Sequence, residues 1–151
     1  MVHEHDFRAF PELTNNQAQT HYFDSPHKQI FDDFTCTVER VIDGDTVSVL
    51  WQERDFSFPV RFLKSAAKEL KEGGEDAKSW LEQRIKGEEV MVKIDKKNRV
   101  GKFGRLLGEV HHTGMDVADE MITLGLARPF NQRGEGLVQD EVRIGFNASK
   151  F

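Results

Sequence analysis

The run Val41-Ile42-Asp43-Gly44-Asp45-Thr46-Val47-Ser48-Val49 sets two carboxylates around one glycine, between two stretches that read as β-strands. Asp and Gly turn a chain readily, so Asp43-Gly44 predicts a strand-to-strand turn. Upstream of it Cys36, Val38 and Val41 alternate with polar residues. Downstream Val47, Val49 and Trp51 alternate again. After the polar stretch Gln52 to Asp55, the period of two resumes with Phe56, Phe58, Val60 and Phe62, completing a three-stranded antiparallel meander. Ala77, Trp80, Leu81, Arg84 and Ile85 recur at three and four residues, the spacing of an amphipathic helix closed by Gly87. Val90, Val92 and Ile94 make a fourth strand and Leu106 to His111 a fifth. Asp116 is placed to cap a second helix that carries Val117, Met121 and Leu124 and ends at Gly125. Three strands, helix, two strands, helix is the order of a five-stranded OB-type barrel, a β-rich α+β fold.

The turn and its surroundings also suggest chemistry. Asp43 and Asp45 share it, Arg61 lies on the third strand, Glu69 follows, and Arg105 closes the turn Lys102-Phe103-Gly104-Arg105. Paired acids offer the oxygens that a hard divalent cation takes. Two arginines match a phosphodiester and the negative charge that builds on it during cleavage.

A chain of 151 residues with 38% hydrophobic content supports one domain with a real core. No apolar run approaches the roughly 20 residues of a membrane helix. Met1 to Asp6 lack the basic-then-apolar order of a secretory signal. Cys36 is the single cysteine, which fits a reducing compartment. The expected location is therefore the cytoplasm or the inside of a viral particle. A formal net charge of −5 argues against binding nucleic acid by bulk electrostatics. The charge is uneven, however: Lys93, Lys96, Lys97, Arg99, Lys102 and Arg105 crowd one stretch opposed only by Asp95. The first five of these, with Phe103 to stack on a base, are the candidate nucleic-acid-binding residues.

The compact pattern begins at Phe34 and ends near Phe130, and residues 1–33 and 131–151 read as arms. The first arm lacks any period, and Pro11, Asn15-Asn16 and Ser25-Pro26 interrupt it. It nonetheless carries Phe7, Phe10, Tyr22, Phe23 and Phe31, aromatics of the kind that anchor in an apolar groove on the same chain or a neighbour. His3, His5, His21 and His27 match no metal-ligand spacing and read as solvated.

Together, Val41 to Val47, Val60-Arg61-Phe62-Leu63, Lys102-Phe103-Gly104-Arg105-Leu106 and Gly125-Leu126-Ala127 resemble the staphylococcal nuclease-like (thermonuclease) family. The resemblance covers about residues 35–130. It implies a calcium-dependent phosphodiesterase acting on DNA or RNA. By its motifs Asp45 is the direct Ca²⁺ ligand and Asp43 tunes the site. Arg61 and Arg105 hold the scissile phosphate, and Glu69 orients or deprotonates the attacking water. The family usually follows its strand-borne arginine with an aspartate, a small residue, a proline and a glutamate. Here those positions read Ala66, Ala67, Lys68 and Glu69, so Ala66 stands where a metal ligand is expected and Lys68 brings a cation beside it. Ser65 to Glu72 also reads as a capped helix stopped by Gly73-Gly74.

Two functional classes follow. One is a nuclease with a weakened metal site. The other is an inactive nuclease-fold module whose arms contact protein neighbours in a larger assembly such as a phage particle. Nucleic-acid binding without cleavage is a third reading.

Overall fold

The computed structural model describes residues 10–13, 27–63, 65–67, 74–101 and 104–129. Strand β1 (Phe34–Asp43) is the longest element, and it serves two neighbours. Its first half pairs antiparallel with β5 (Glu89–Lys93) and its second half with β2 (Thr46–Leu50). Register shifts between Val38 and Arg40 and between Val41 and Asp43 bend β1 between those partners. Strand β3 (Phe58–Phe62) pairs antiparallel with β2. Strand β6 (Leu106–His112) pairs antiparallel with β5 and parallel with β3, and that last pairing closes the five-stranded barrel.

Three short strands complete the topology. β4 (Ser65–Ala67) and β8 (Ala127–Pro129) form a separate antiparallel pair, and β7 (Met115–Asp116) extends β6 as a hairpin. The first of these corrects the sequence expectation of a helix starting at Ser65. Local helix propensity there loses to pairing with Ala127–Pro129, a partner more than sixty residues away. Helix α1 (Gly74–Ile85) buries Ala77, Leu81 and Ile85 against β1, on the predicted face. Helix α2 (Val117–Thr123) is capped by Asp116, whose carboxylate accepts the Ala118 and Asp119 N–H groups. Val117 and Met121 are buried as predicted, whereas Leu124 is 57% exposed, beyond the last turn that packs.

The inward positions of the strands (Val38, Val47, Val49, Phe58, Val60, Phe62, Val92, Leu106, Val110) form one core with both helices. Two stretches assigned by sequence to the N-terminal arm join it. Leu13 and Ile30 are buried, and Glu12 is fully buried between two arginines. Its carboxylate meets Arg54 at 2.7 Å and Arg99 at 2.6 Å. Arg54 also donates to the Lys28 carbonyl, and Arg99 to the Ile30 and Leu13 carbonyls. Each guanidinium lies over an aromatic ring, Arg54 4.4 Å from Phe58 and Arg99 4.2 Å from Phe31. Residues 10–13 and 27–33 are thus fastened to the barrel by a buried charge cluster in which one carboxylate is paired with two guanidinium groups, the pairing a buried charge needs.

Candidate active site

Three features of the fold converge on the Asp43–Asp45 turn. Asp43 ends β1 behind a register shift, Thr46 starts β2, and Thr46 lies across from Arg61 on β3. The Asp45 carbonyl accepts the Phe62 N–H at 2.8 Å, which pins the turn to the strand bearing Arg61. The Asp45 side chain is nearly buried. Its Oδ1 accepts the Thr46 hydroxyl at 2.9 Å, and its Oδ2 lies 3.3 Å from Arg61 Nη2. Asp43 Oδ1 accepts the Asp45 N–H at 3.1 Å, closing the turn on itself.

The carboxylates repel one another. Lost hydration, then hydrogen bonding and like charge from Asp45, push the Asp43 carboxyl up to about 6. The Asp45 backbone N–H and the Arg105 guanidinium pull it the other way, the latter placing Arg105 within electrostatic reach of the turn. Arg105 is half-buried immediately before β6, and β6 runs beside β3 with Leu106 paired to Val60 and Leu107 to Arg61. Its turn depends on Gly104, which has φ +100° and packs under the N-terminal stretch. A Cβ there would lie 2.5 Å from the Glu12 carbonyl oxygen, and the Glu12 N–H donates to the Gly104 carbonyl at 2.9 Å.

The structure therefore brings Asp43, Asp45, Arg61 and Arg105 together. Glu69, Lys102 and Phe103 lie outside the described residues. Ala66 sits in β4, paired with Arg128 of β8. Lys93, Lys96 and Lys97 are exposed, but Lys96 lies 3.2 Å from Asp32, and Asp33 accepts the Ile94 N–H at 2.8 Å. Two carboxylates of the 27–33 stretch thus lie against this basic segment and weaken its pull on a polyanion.

Arg99 is corrected outright. It is 2% exposed and committed to Glu12, so it cannot meet a nucleic acid at the surface. A basic run in sequence does not reveal which member turns inward, because the partner, Glu12, is 87 residues away. The Thr46 hydroxyl belongs to the site as well, and adjacency to Asp45 is its one signal in the sequence. A separate groove of about 480 Å³ lined by Phe31, Trp51 and Glu53 includes none of the four converging residues.

A sequence profile of the family described as Staphylococcal nuclease homologue matches residues 59–143, more than half of the chain. The match contains Arg61 and Arg105, begins after Asp45, and runs past Phe130. Endonuclease YncB of Bacillus subtilis (strain 168) is 32% identical over 99 residues, covering 61% of this chain and 46% of that protein. SPbeta prophage-derived endonuclease YokF of the same strain is 31% identical over 99 residues, covering 61% of this chain and 33% of that protein. The chain spans less than half the length of these curated relatives.

Proposed function

Because the chain belongs to the staphylococcal nuclease homologue family, we propose that it is a phosphodiesterase cleaving DNA or RNA with a divalent cation, held in a weakened site. The observation that carries this reading is the convergence of Asp43, Asp45, Arg61 and Arg105 around one turn. The names of YncB and YokF as endonucleases support the same substrate class.

The donor set fits a hard cation. Lost hydration and then the neighbouring Asp45 raise Asp43, and positive charge placed between the two carboxylates would relieve both, with the Thr46 hydroxyl an oxygen nearby. Asp45 and Asp43 would hold the ion, which supplies Lewis acidity at a phosphate oxygen. Ala66 brings no carboxylate, so calcium would have fewer oxygens and a lower affinity than a full carboxylate set gives.

The chain's own residues do the remaining work. Arg61, oriented by Asp45, presents its guanidinium at the turn as a hydrogen-bond donor for a phosphate oxygen. Arg105 brings a second permanent positive charge, and the pair neutralises charge that accumulates as the phosphorus–oxygen bond breaks. Glu69 is assigned the attacking water, in keeping with its place in the motif. Lys93, Lys96, Lys97, Lys102 and Phe103 are assigned to the strand leading away from the scissile bond.

A second reading, the inactive scaffold docked in an assembly such as a phage particle, is favoured by Ala66 and by the commitment of Asp45 to Arg61. Under it, residues 1–33 and 131–151 reach protein neighbours, with less of the first arm free than the sequence implies. Residence in the cytoplasm or a viral particle is part of the proposal, and no described helix is long and apolar enough to cross a membrane. Calcium titration of thermal stability separates the readings. Ca²⁺ raises the melting temperature and Asp45→Ala removes that rise if the site works; no response of the parent protein favours the scaffold.

A further inference from the structure

At the far end of β6 from Arg105 lies a second group of ligand-type side chains, Glu109, His111 and Asp116. We propose that these three residues form a metal site, separate from the Asp45 turn, that takes a first-row transition cation of the zinc type. The pleat of β6 puts Glu109 and His111 on one face, two residues apart. The turn at Thr113 and Gly114, with φ of 51° and 82°, folds β7 back so that Asp116 pairs directly with His111.

His111 Nε2 lies 3.1 Å from Glu109 Oε1 and 3.8 Å from Asp116 Oδ2. These separations bracket the ~3.3 Å between two ligands of a tetrahedral zinc with bonds of about 2.0 Å. All three ligand atoms lie within 4.8 Å of one another. Asp116 is held in place through its other oxygen, which caps α2, so its carboxylate is preorganised. Its side chain is 5% exposed, whereas His111 and Glu109 are 19% and 28% exposed and leave an entry path.

The imidazole decides the class of ion. A nitrogen with two carboxylate oxygens suits zinc, cobalt or nickel, whereas calcium prefers oxygen throughout. Three protein ligands leave one position for water. Residues 105 and 111 are about 20 Å apart along an extended strand, so this site is distinct from the phosphodiester-facing turn. A bound ion would clip the β6–β7 hairpin to the start of α2.

The test uses chelator-stripped full-length protein titrated with Zn²⁺ by calorimetry and with Co²⁺ by visible absorption. The expected result is one Zn²⁺ per chain, tetrahedral cobalt bands, and a melting temperature that Zn²⁺ raises in the Asp45→Ala variant as in the parent protein. His111→Gln weakens Zn²⁺ binding at least about tenfold, while Asp45→Ala leaves it intact. Stoichiometric binding absent from the parent protein, or unchanged in His111→Gln, overturns the proposal, as does loss caused only by Asp45→Ala. If His111→Gln does not fold by circular dichroism, the more exposed Glu109→Gln decides by the same criteria.

Discussion

Replacing Glu12 with glutamine tests whether the N-terminal stretch belongs to the fold. The substitution keeps the shape of the side chain and removes its charge. Arg54 and Arg99 are then left buried without their shared counter-ion, and burial already lowers the pKa of both against the pull of Glu12. Breaking a buried ion pair by removing one partner costs about 3–5 kcal/mol. Here one carboxylate serves two guanidinium groups, each with 1% side-chain exposure, so solvent cannot screen the loss. Against a domain stability of roughly 5–15 kcal/mol, that is about a fifth of the total or more.

Urea unfolding followed by tryptophan fluorescence reads this directly, since Arg54 lies 5.8 Å from the Trp51 ring. The midpoint falls by about 2 M for a typical dependence of 1–3 kcal/mol/M. Glu12→Leu combined with Arg54→Met and Arg99→Met recovers much of the loss, because no charge is then buried unpaired. A change below about 0.5 kcal/mol, ordinary for a surface residue, refutes the reasoning. It would mean that residues 10–13 leave the barrel in solution and that the first 33 residues behave as an arm.

Burial, with the charge of Glu89, pushes the Cys36 thiol up to about 12, so native protein at mildly alkaline pH resists Ellman's reagent and reacts only in denaturant; rapid native labelling contradicts this. Asp43→Asn stabilises the calcium-free protein at neutral pH, because the folded state there carries a carboxylate that it favours protonated. The shift corresponds to about 3 kcal/mol in a sealed site, and exposure of Asp43 leaves about 1 kcal/mol after screening. The sign follows from the raised value: the penalty is absent below the ordinary carboxylate value of 3.8, grows as pH rises to about 6, and is constant above. Melting temperatures of the two proteins that stay equal from acid to neutral pH would show that the folded state imposes no such penalty on Asp43. Arg61→Lys keeps the charge but loses the fork that meets Asp45, so cleavage falls steeply while urea stability changes little; full activity in that variant removes Arg61 from the site.

Strand periodicity carried most of the barrel into view, since Val47, Val49, Val60 and Val92 are each buried as the alternation requires. Asp116 and Gly125 marked the limits of α2 through capping chemistry that is local by nature. What escaped was non-local. Ser65–Ala67 reads as helix because its partner strand lies at residues 127–129, and no neighbouring residue announces that pairing. Glu12 sits in a stretch without period, so nothing local reveals its two arginines, 42 and 87 residues away, and Arg99 reads from its neighbours as a surface cation. The candidate site was legible because Asp43 and Asp45 share a turn, Arg61 lies on a strand and Arg105 directly precedes one. His111, by contrast, finds Asp116 only after the hairpin folds.

The proposed cleavage requires Arg105 to act at a phosphodiester beside the Asp45 turn, and an end-labelled single-stranded oligonucleotide with excess purified protein tests that. Calcium-dependent nicking that chelator abolishes, and that Arg105→Ala lowers by about a hundredfold or more, is the predicted result. An oligonucleotide left intact from neutral to alkaline pH in millimolar calcium, or cut equally by Arg105→Ala, contradicts it.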